Sequence, residues 1–97
     1  MRYIVLFEDD PDKADVRPRL MPDHRAFLKR NDAILETGPL VDESGVTVAR
    51  MWSVEAADRE AVTALVHEDP FWLAGVRKSV RVLLWNRGST AGRSQPA

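Results

Sequence analysis

The chain has 97 residues, of which 44 % are apolar and 30 % are charged, proportions that are typical of one soluble globular domain. Fourteen basic and fifteen acidic residues are scattered along the sequence, so no basic stripe predicts a nucleic-acid partner. The sequence has no cysteine and only two histidines, which excludes disulfides and thiolate metal ligands and argues against an imidazole metal site.

The first predicted element is a strand at residues 2–8, RYIVLFE, because β-branched and aromatic residues dominate it. It is apolar on both faces and needs cover on both, with Tyr3, Val5 and Phe7 on one side and Ile4 and Leu6 on the other. This run is far shorter than the roughly 20 apolar residues that cross a bilayer, and acids follow it where a signal peptide would have small residues. We expect a cytoplasmic protein with no membrane partner.

Helical spacing follows between Arg17 and Asn31, where four residues recur at three- and four-residue steps: Leu20, His24, Phe27 and Leu28. Pro22 is disfavoured inside a helix because it removes a backbone hydrogen bond and clashes with the preceding turn. We therefore expect the regular helix to begin near Met21, with Pro22 in its first turn.

The middle of the chain predicts a hairpin and then a second helix. Residues 33–45 read as a strand that Gly38 and Pro39 interrupt, because proline cannot donate to a sheet, and residues 46–53 read as the next strand. Ser53 is the expected N-cap of the helix, with Glu55 in its first turn. The apolar stripe of this helix is expected to run to about Val66 through Ala57, Ala61 and Leu65.

The last part of the chain predicts a turn, a strand and a tail. The turn is HEDPFWLAGV, residues 67–76, and the strand covers residues 78–86. Residues 87–97 have no apolar periodicity, so we expect a mobile tail after a single domain at residues 1–86.

The order β-α-β-β-α-β is that of the α+β, ferredoxin-like fold, an antiparallel sheet with two helices on one face. The other face would then expose apolar residues of the first, third and fourth strands. Soluble monomers rarely tolerate a large exposed apolar patch. We therefore expect a homodimer in which two copies pack sheet to sheet.

Two polar residues are candidates for chemistry. His24 lies on the apolar stripe of the first helix, where it is either a hydrogen-bonded core residue or a proton-transfer group. Asp69 precedes Pro70, and either initiates a turn or orients the imidazole of His24. Asp23 and His67 are expected in solvent. Neither a nucleotide cofactor nor a metal is indicated, because no glycine-rich phosphate motif and no third ligand accompany the pair.

A pocket near these residues would be lined by glycine, proline and apolar side chains. Gly38 and Pro39 form either a bulge or a pocket wall, because glycine lets a backbone approach a ligand closely. The aromatic residues belong to the core or an interface, or line a pocket for an aromatic compound. The candidate substrate-binding residues are Phe7, Gly38, Pro39, Leu40, Phe71 and Trp72.

Three segments, taken in order, resemble the YCII-related family: HRAFL at 24–28, TGPLVDESG at 37–45 and DPFWLAGV at 69–76. The resemblance covers residues 2 to about 86. It implies a ferredoxin-like fold that dimerises into an α+β barrel, and a histidine and an aspartate that face each other in a pocket. Carried over, these two are His24 and Asp69. The resemblance also implies an activity similar to that of a cofactor-free dehydrochlorinase in chlorinated aromatic breakdown.

The favoured function is therefore a cofactor-independent lyase or isomerase that acts on a small cyclic or aromatic compound. In this hypothesis catalytic His24 moves a proton and Asp69 orients the imidazole. A non-catalytic small-molecule binder or accessory protein that uses the same pocket is the first alternative. A cofactor-free monooxygenase of the dimeric α+β barrel type is the second, on resemblance of fold alone.

Overall fold

A computed structural model describes residues 1–86 of the chain. The predicted mobile tail, residues 87–97, lies outside the described residues. The elements in chain order are β1 (Arg2–Asp9), a single 3-10 turn (Pro11–Lys13), α1 (Val16–Arg30), β2 (Ile34–Val41), β3 (Thr47–Glu55), α2 (Arg59–Glu68), α3 (Pro70–Leu73) and β4 (Arg77–Leu84).

The four strands form one antiparallel sheet in the order β2-β3-β1-β4, with the helices on one face. This is the ferredoxin-like arrangement, so the predicted α+β fold class is confirmed. In the central strand, Val5 pairs with Trp52 of β3 and with Val82 of β4, which puts these three side chains on the same face.

The core lies between that face of the sheet and the helices. Alternate residues of β1 are buried as the sequence predicts, and they pack with side chains from β3, α1 and α2. The buried cluster consists of Tyr3, Val5, Phe7, Phe27, Trp52, Val54, Val62 and Val66. Removing this apolar surface from water stabilises the small domain.

Helix α1 begins five residues earlier than expected, at Val16, and Pro22 lies in its second turn. The prediction of a start near Met21 is therefore wrong. Contacts outside the helix hold the first turn in place: Arg17 Nη1 is 2.6 Å from Asp9 Oδ2, and its guanidinium lies 4.4 Å from the centre of the Phe71 ring. Pro22 is exposed, so water can bond the backbone carbonyl that the proline leaves without a helical partner.

Helix α2, in contrast, begins later than predicted, at Arg59. Ser53 is a buried residue of β3, and the N-cap is Asp58, whose side chain accepts a hydrogen bond of 2.8 Å from the Ala61 N–H. The strand continues to Glu55 because its pairing with β1 reaches Arg2. The predicted turn after α2 contains the additional short helix α3.

The second face of the sheet has no helix of residues 1–86 packed on it. Ile4, Leu6 and Met51 are partly exposed there, and Leu83 is 37 % exposed. Within the same residues, no helix is long and apolar enough to span a bilayer.

Candidate active site

His24 is held on the inner side of α1 by the spacing of that helix. It lies three residues before Phe27, and both are buried on the face that meets the rest of the domain. The imidazole is 7 % exposed and stacks on the ring of Phe71, with 4.3 Å between the ring centres. The position and tilt of the ring are therefore fixed by packing.

Asp69 stands at the junction of two helices, because it ends α2 and caps α3. Its Oδ1 accepts a hydrogen bond of 3.2 Å from the Phe71 N–H, and Pro70 occupies the first turn of α3, where its missing N–H costs nothing. The Asp-Pro pair in the sequence is thus a helix cap. The side chain is completely buried.

The two candidate catalytic residues contact each other. His24 Nδ1 is 3.1 Å from Asp69 Oδ1, and because an ionised carboxylate only accepts, Nδ1 carries the proton and donates it. Nε2 of His24 has no hydrogen-bond partner among residues 1–86. Every buried side-chain nitrogen and oxygen of these residues has a hydrogen-bond partner, so an atom without one, such as Nε2, is accessible to solvent. This is the tautomer that a general base needs.

Arg77 completes the surroundings of Asp69 from the first residue of β4. Its Nε donates to Asp69 Oδ2 at 3.1 Å, while its Nη1 donates to Asp9 Oδ1 at 3.2 Å and its guanidinium lies 4.0 Å from the Phe7 ring centre. Burial raises the pKa of Asp69. The hydrogen bond from His24, the charge of Arg77 and the hydrogen bond from the Phe71 N–H together lower it by more than burial raises it, so the pKa is below the ordinary value. The carboxyl is therefore ionised at neutral pH.

Asp9, at the end of β1, is shared by three arginines. Besides Arg77, its Oδ2 is 2.6 Å from Arg17 Nη1 and 3.1 Å from Arg50 Nε. Burial and the positive charges of Arg50 and Arg77 lower the pKa of Arg17, although Asp9 opposes this shift. A chain of alternating charges thus runs from Asp69 through Arg77 and Asp9 to Arg17 and Arg50, and the neutral His24 ring donates to its first member.

A cleft of about 230 Å³ opens beside this network, between α1 and the sheet. Helix α1 contributes Arg17, Met21, His24, Arg25 and Leu28 to its lining. The strands contribute Thr37, Gly38, Pro39, Arg50, Met51, Trp52 and Arg77. Four arginines therefore surround a cleft whose remaining wall is largely apolar.

Of the predicted substrate-binding residues, some line the cleft and others lie outside its lining. Gly38 and Pro39 line the cleft, whereas Phe7 and Phe71 are buried beneath the arginines and outside its lining. Leu40 is 36 % exposed and outside the lining, and Trp72 contacts His67 instead, with 5.1 Å between ring centres. A role in substrate binding stays a prediction for each of these residues.

No sequence pattern pointed to the charged residues of the site, namely Asp9, Arg17, Arg50 and Arg77. These residues lie far apart in the chain. Two features of the sequence could have indicated them: Asp9 directly follows the first predicted strand, and Arg77 directly precedes the last one. Within residues 1–86, no group of three or more His, Cys, Asp or Glu side chains is placed to hold a metal.

Comparison with known proteins gives a family and a structural relative. The family model described as YCII-related domain matches residues 1–86. A similar solved structure is 5-chloro-2-hydroxyhydroquinone dehydrochlorinase (TftG) from Burkholderia phenoliruptrix AC1100, in complex with 2,5-dihydroxybenzoquinone. The two chains are 26 % identical with a TM-score of 0.76, over 91 % of this chain and 96 % of the other. No curated protein sequence matches the chain.

Proposed function

Because this chain belongs to the YCII-related family, we propose that it is a cofactor-independent lyase or isomerase acting on a small cyclic or aromatic compound. His24 is the proton-transfer residue and Asp69 orients it. The observation that carries the proposal is the 3.1 Å contact between His24 Nδ1 and Asp69 Oδ1 at the wall of a cleft, with Nε2 left open. The similarity to a dehydrochlorinase that binds a hydroxylated quinone supports this class of compound.

The proposed chemistry begins with removal of a proton from the substrate by His24 Nε2. The imidazolium that forms is stabilised by the Asp69 carboxylate, which stays ionised. In an elimination, the electron pair of the broken O–H bond, or of a C–H bond at a saturated carbon, forms a new double bond, and a leaving group such as chloride departs with its own pair from a saturated ring carbon of the keto tautomer. In an isomerisation, His24 returns the proton to another atom. Proton transfer of this kind contributes roughly 10²- to 10⁴-fold to the rate, and positioning supplies the rest.

The test is turnover by His24→Ala, first with 5-chloro-2-hydroxyhydroquinone and release of chloride, then with other hydroxylated rings. We expect turnover to fall about 10²- to 10⁴-fold, the share supplied by proton transfer. The fold should persist, because Asp69 keeps Arg77 and the Phe71 N–H as partners. His67→Ala is the matched control, since His67 is exposed at the end of α2. Full activity in His24→Ala contradicts the proposal, and binding without turnover in the wild-type protein favours a non-catalytic binder.

We also propose that the protein is a homodimer that pairs through the second face of its sheet. The partly exposed Ile4, Leu6 and Met51, together with Leu83, form an apolar area on that face. Covering it with a second copy removes this area from water, which is the usual driving force of homodimer formation.

A further inference from the structure

We propose that the compound bound in this cleft is an anion, and that Arg17 and Arg50 hold its carboxylate or ionised acidic hydroxyl beside His24. This inference takes the cleft of the proposed function as the ligand site and adds the chemical class of the ligand. It rests on the charge of the lining, on unused hydrogen-bond donors and on the position of Phe71.

The charge of the cleft favours an anion. Its lining has four arginines and, among the described residues, no acidic side chain. Two carboxylates lie behind the lining, those of Asp9 and Asp69. They neutralise fewer charges than the four arginines carry, so the cleft keeps a net positive charge. Arg25 is exposed at the cleft and has no ion pair with any residue of the described chain. Negative charge on a ligand would therefore be attracted into the cleft.

Arg17 and Arg50 have N–H groups that no acceptor of residues 1–86 contacts. Each guanidinium carries five N–H groups, yet within residues 1–86 the polar contacts of these two arginines are confined to the single oxygen Asp9 Oδ2. Both side chains are partly buried, at 18 % and 28 % exposure, which removes much of the water that would otherwise satisfy them. Burial, and then the positive charge of Arg50, lower the pKa of Arg17, and a bound anion would counteract both effects. A carboxylate or an ionised hydroxyl can accept hydrogen bonds from two N–H groups of a guanidinium at once.

The aromatic ring of Phe71 contacts both Arg17 of the anion site and His24. The Arg17 guanidinium lies 4.4 Å from the centre of this ring, and the His24 imidazole stacks on the same ring at 4.3 Å. Trp52, Pro39 and Leu28 supply an apolar wall for the body of the ligand. An anionic ring compound bound to Arg17 and Arg50 would thus have its carbon framework within the cleft that His24 lines.

Matched pairs of probes test the inference by calorimetry at neutral pH. Benzoate and benzamide differ in the charge of one group, as do 2,5-dihydroxybenzoquinone, whose hydroxyls are acidic, and neutral 2,5-dimethoxybenzoquinone. We expect at least one anion to bind about ten- to a hundredfold more tightly than its neutral partner, and to lose affinity as salt is added. The pair that shows the difference identifies the carboxylate or the hydroxylate as the group recognised.

Variants then locate the anion. Arg17→Gln and Arg50→Gln should each remove most of the anion's advantage while leaving the neutral probe unchanged, and Arg50→Lys should retain part of it. Arg19→Gln is the control on the same helix, because Arg19 is 71 % exposed and outside the cleft lining. The unfolding midpoint of each variant shows whether it is folded, and the wild-type comparison stands even if a variant is not.

Two results would overturn the inference: neither anion binding more tightly than its neutral partner, or the preference surviving in both glutamine variants. Because binding is measured without turnover, this test is separate from that of the proposed function. A protein that binds anions through these arginines yet catalyses no reaction contradicts the enzymatic proposal alone. Turnover of neutral compounds with no preference for anions contradicts the anion site alone.

Discussion

Asp69 shows how a single buried residue serves both the fold and the candidate site. Its Oδ1 accepts from the His24 ring and the Phe71 N–H, and its Oδ2 accepts from Arg77, so the charge is compensated on both oxygens. A buried carboxylate without such partners would take up a proton instead of staying ionised. The cap of α3 and the orientation of the imidazole therefore depend on the same group.

Acid should destabilise the protein partly through Asp69. Its pKa in the folded state is lowered, so the ionised form contributes stability above the unfolded value of about 3.9, and this contribution is lost as pH falls through the folded pKa. Asp69→Asn should cost about 3 kcal/mol at neutral pH, because Arg77 loses a charged partner, and should show a smaller further loss in acid. Urea unfolding from neutral pH to about pH 3 measures both.

The wild-type protein loses stability in acid through other groups as well. The pKa values of Asp42 and Glu55 are also lowered, chiefly by hydrogen bonds from Ser44 and from the chain's amino terminus. The contribution of Asp69 is therefore the difference between wild type and Asp69→Asn in the free energy of unfolding that each loses in acid. Asp23→Asn, at an exposed position of α1, should leave unfolding at neutral pH unchanged. An identical loss of stability in acid for wild type and Asp69→Asn would contradict the argument.

A helical stripe made His24 a candidate and an Asp-Pro turn made Asp69 one, and the resemblance to the YCII-related family implied that the two residues face each other. The sequence did not point to the arginines. Their charges are spread evenly along the chain, and only the pairing of β1 with β3 and β4 brings Arg50 and Arg77 to Asp9. Periodicity reports which face of an element is buried, but it carries no information on long-range ion pairs.

At the scale of elements, α1 departs from what local preferences favour. The sequence predicts its apolar face but not its start, because the contacts of Arg17 with Asp9 and Phe71 hold the first turn in place despite the proline penalty. Similarly, Ser53 has cap chemistry, yet strand pairing extends past it and Asp58 caps α2 instead. In both cases long-range contacts outweigh a local signal, which is why element boundaries are harder to predict than element types.

Replacing Pro22 by alanine should therefore stabilise the protein. The substitution restores one backbone hydrogen bond in an exposed part of α1, and we expect the free energy of unfolding to rise by about 1 to 3 kcal/mol. Pro18→Ala is the matched control, because Pro18 lies in the first turn and should change stability by less than about 0.5 kcal/mol. Chemical denaturation measures both. A loss of stability in Pro22→Ala would indicate that the rest of the domain requires the proline in the second turn.

At the scale of the whole molecule, the sheet has two unequal faces. One is covered by helices and holds the core, and the other presents apolar residues that no helix of residues 1–86 covers. The candidate cleft opens on the covered side, between α1 and the sheet. Association through the second face would therefore stabilise the domain and leave most of the cleft open, since Met51 is the one residue of the proposed dimer area that also lines the cleft within residues 1–86.

Leu83→Arg should break the proposed dimer. Leu83 is 37 % exposed and pairs with Ile4 of the central strand, so a charge there would face the apolar area of a second copy and be costly to bury. Leu73→Arg is the control, since Leu73 is 71 % exposed on α3, on the helical side. In sedimentation velocity at micromolar concentration, wild type and Leu73→Arg should sediment as dimers and Leu83→Arg as a folded monomer. A wild-type monomer at that concentration would remove the sheet-to-sheet dimer, because the apolar face would then be tolerated in water.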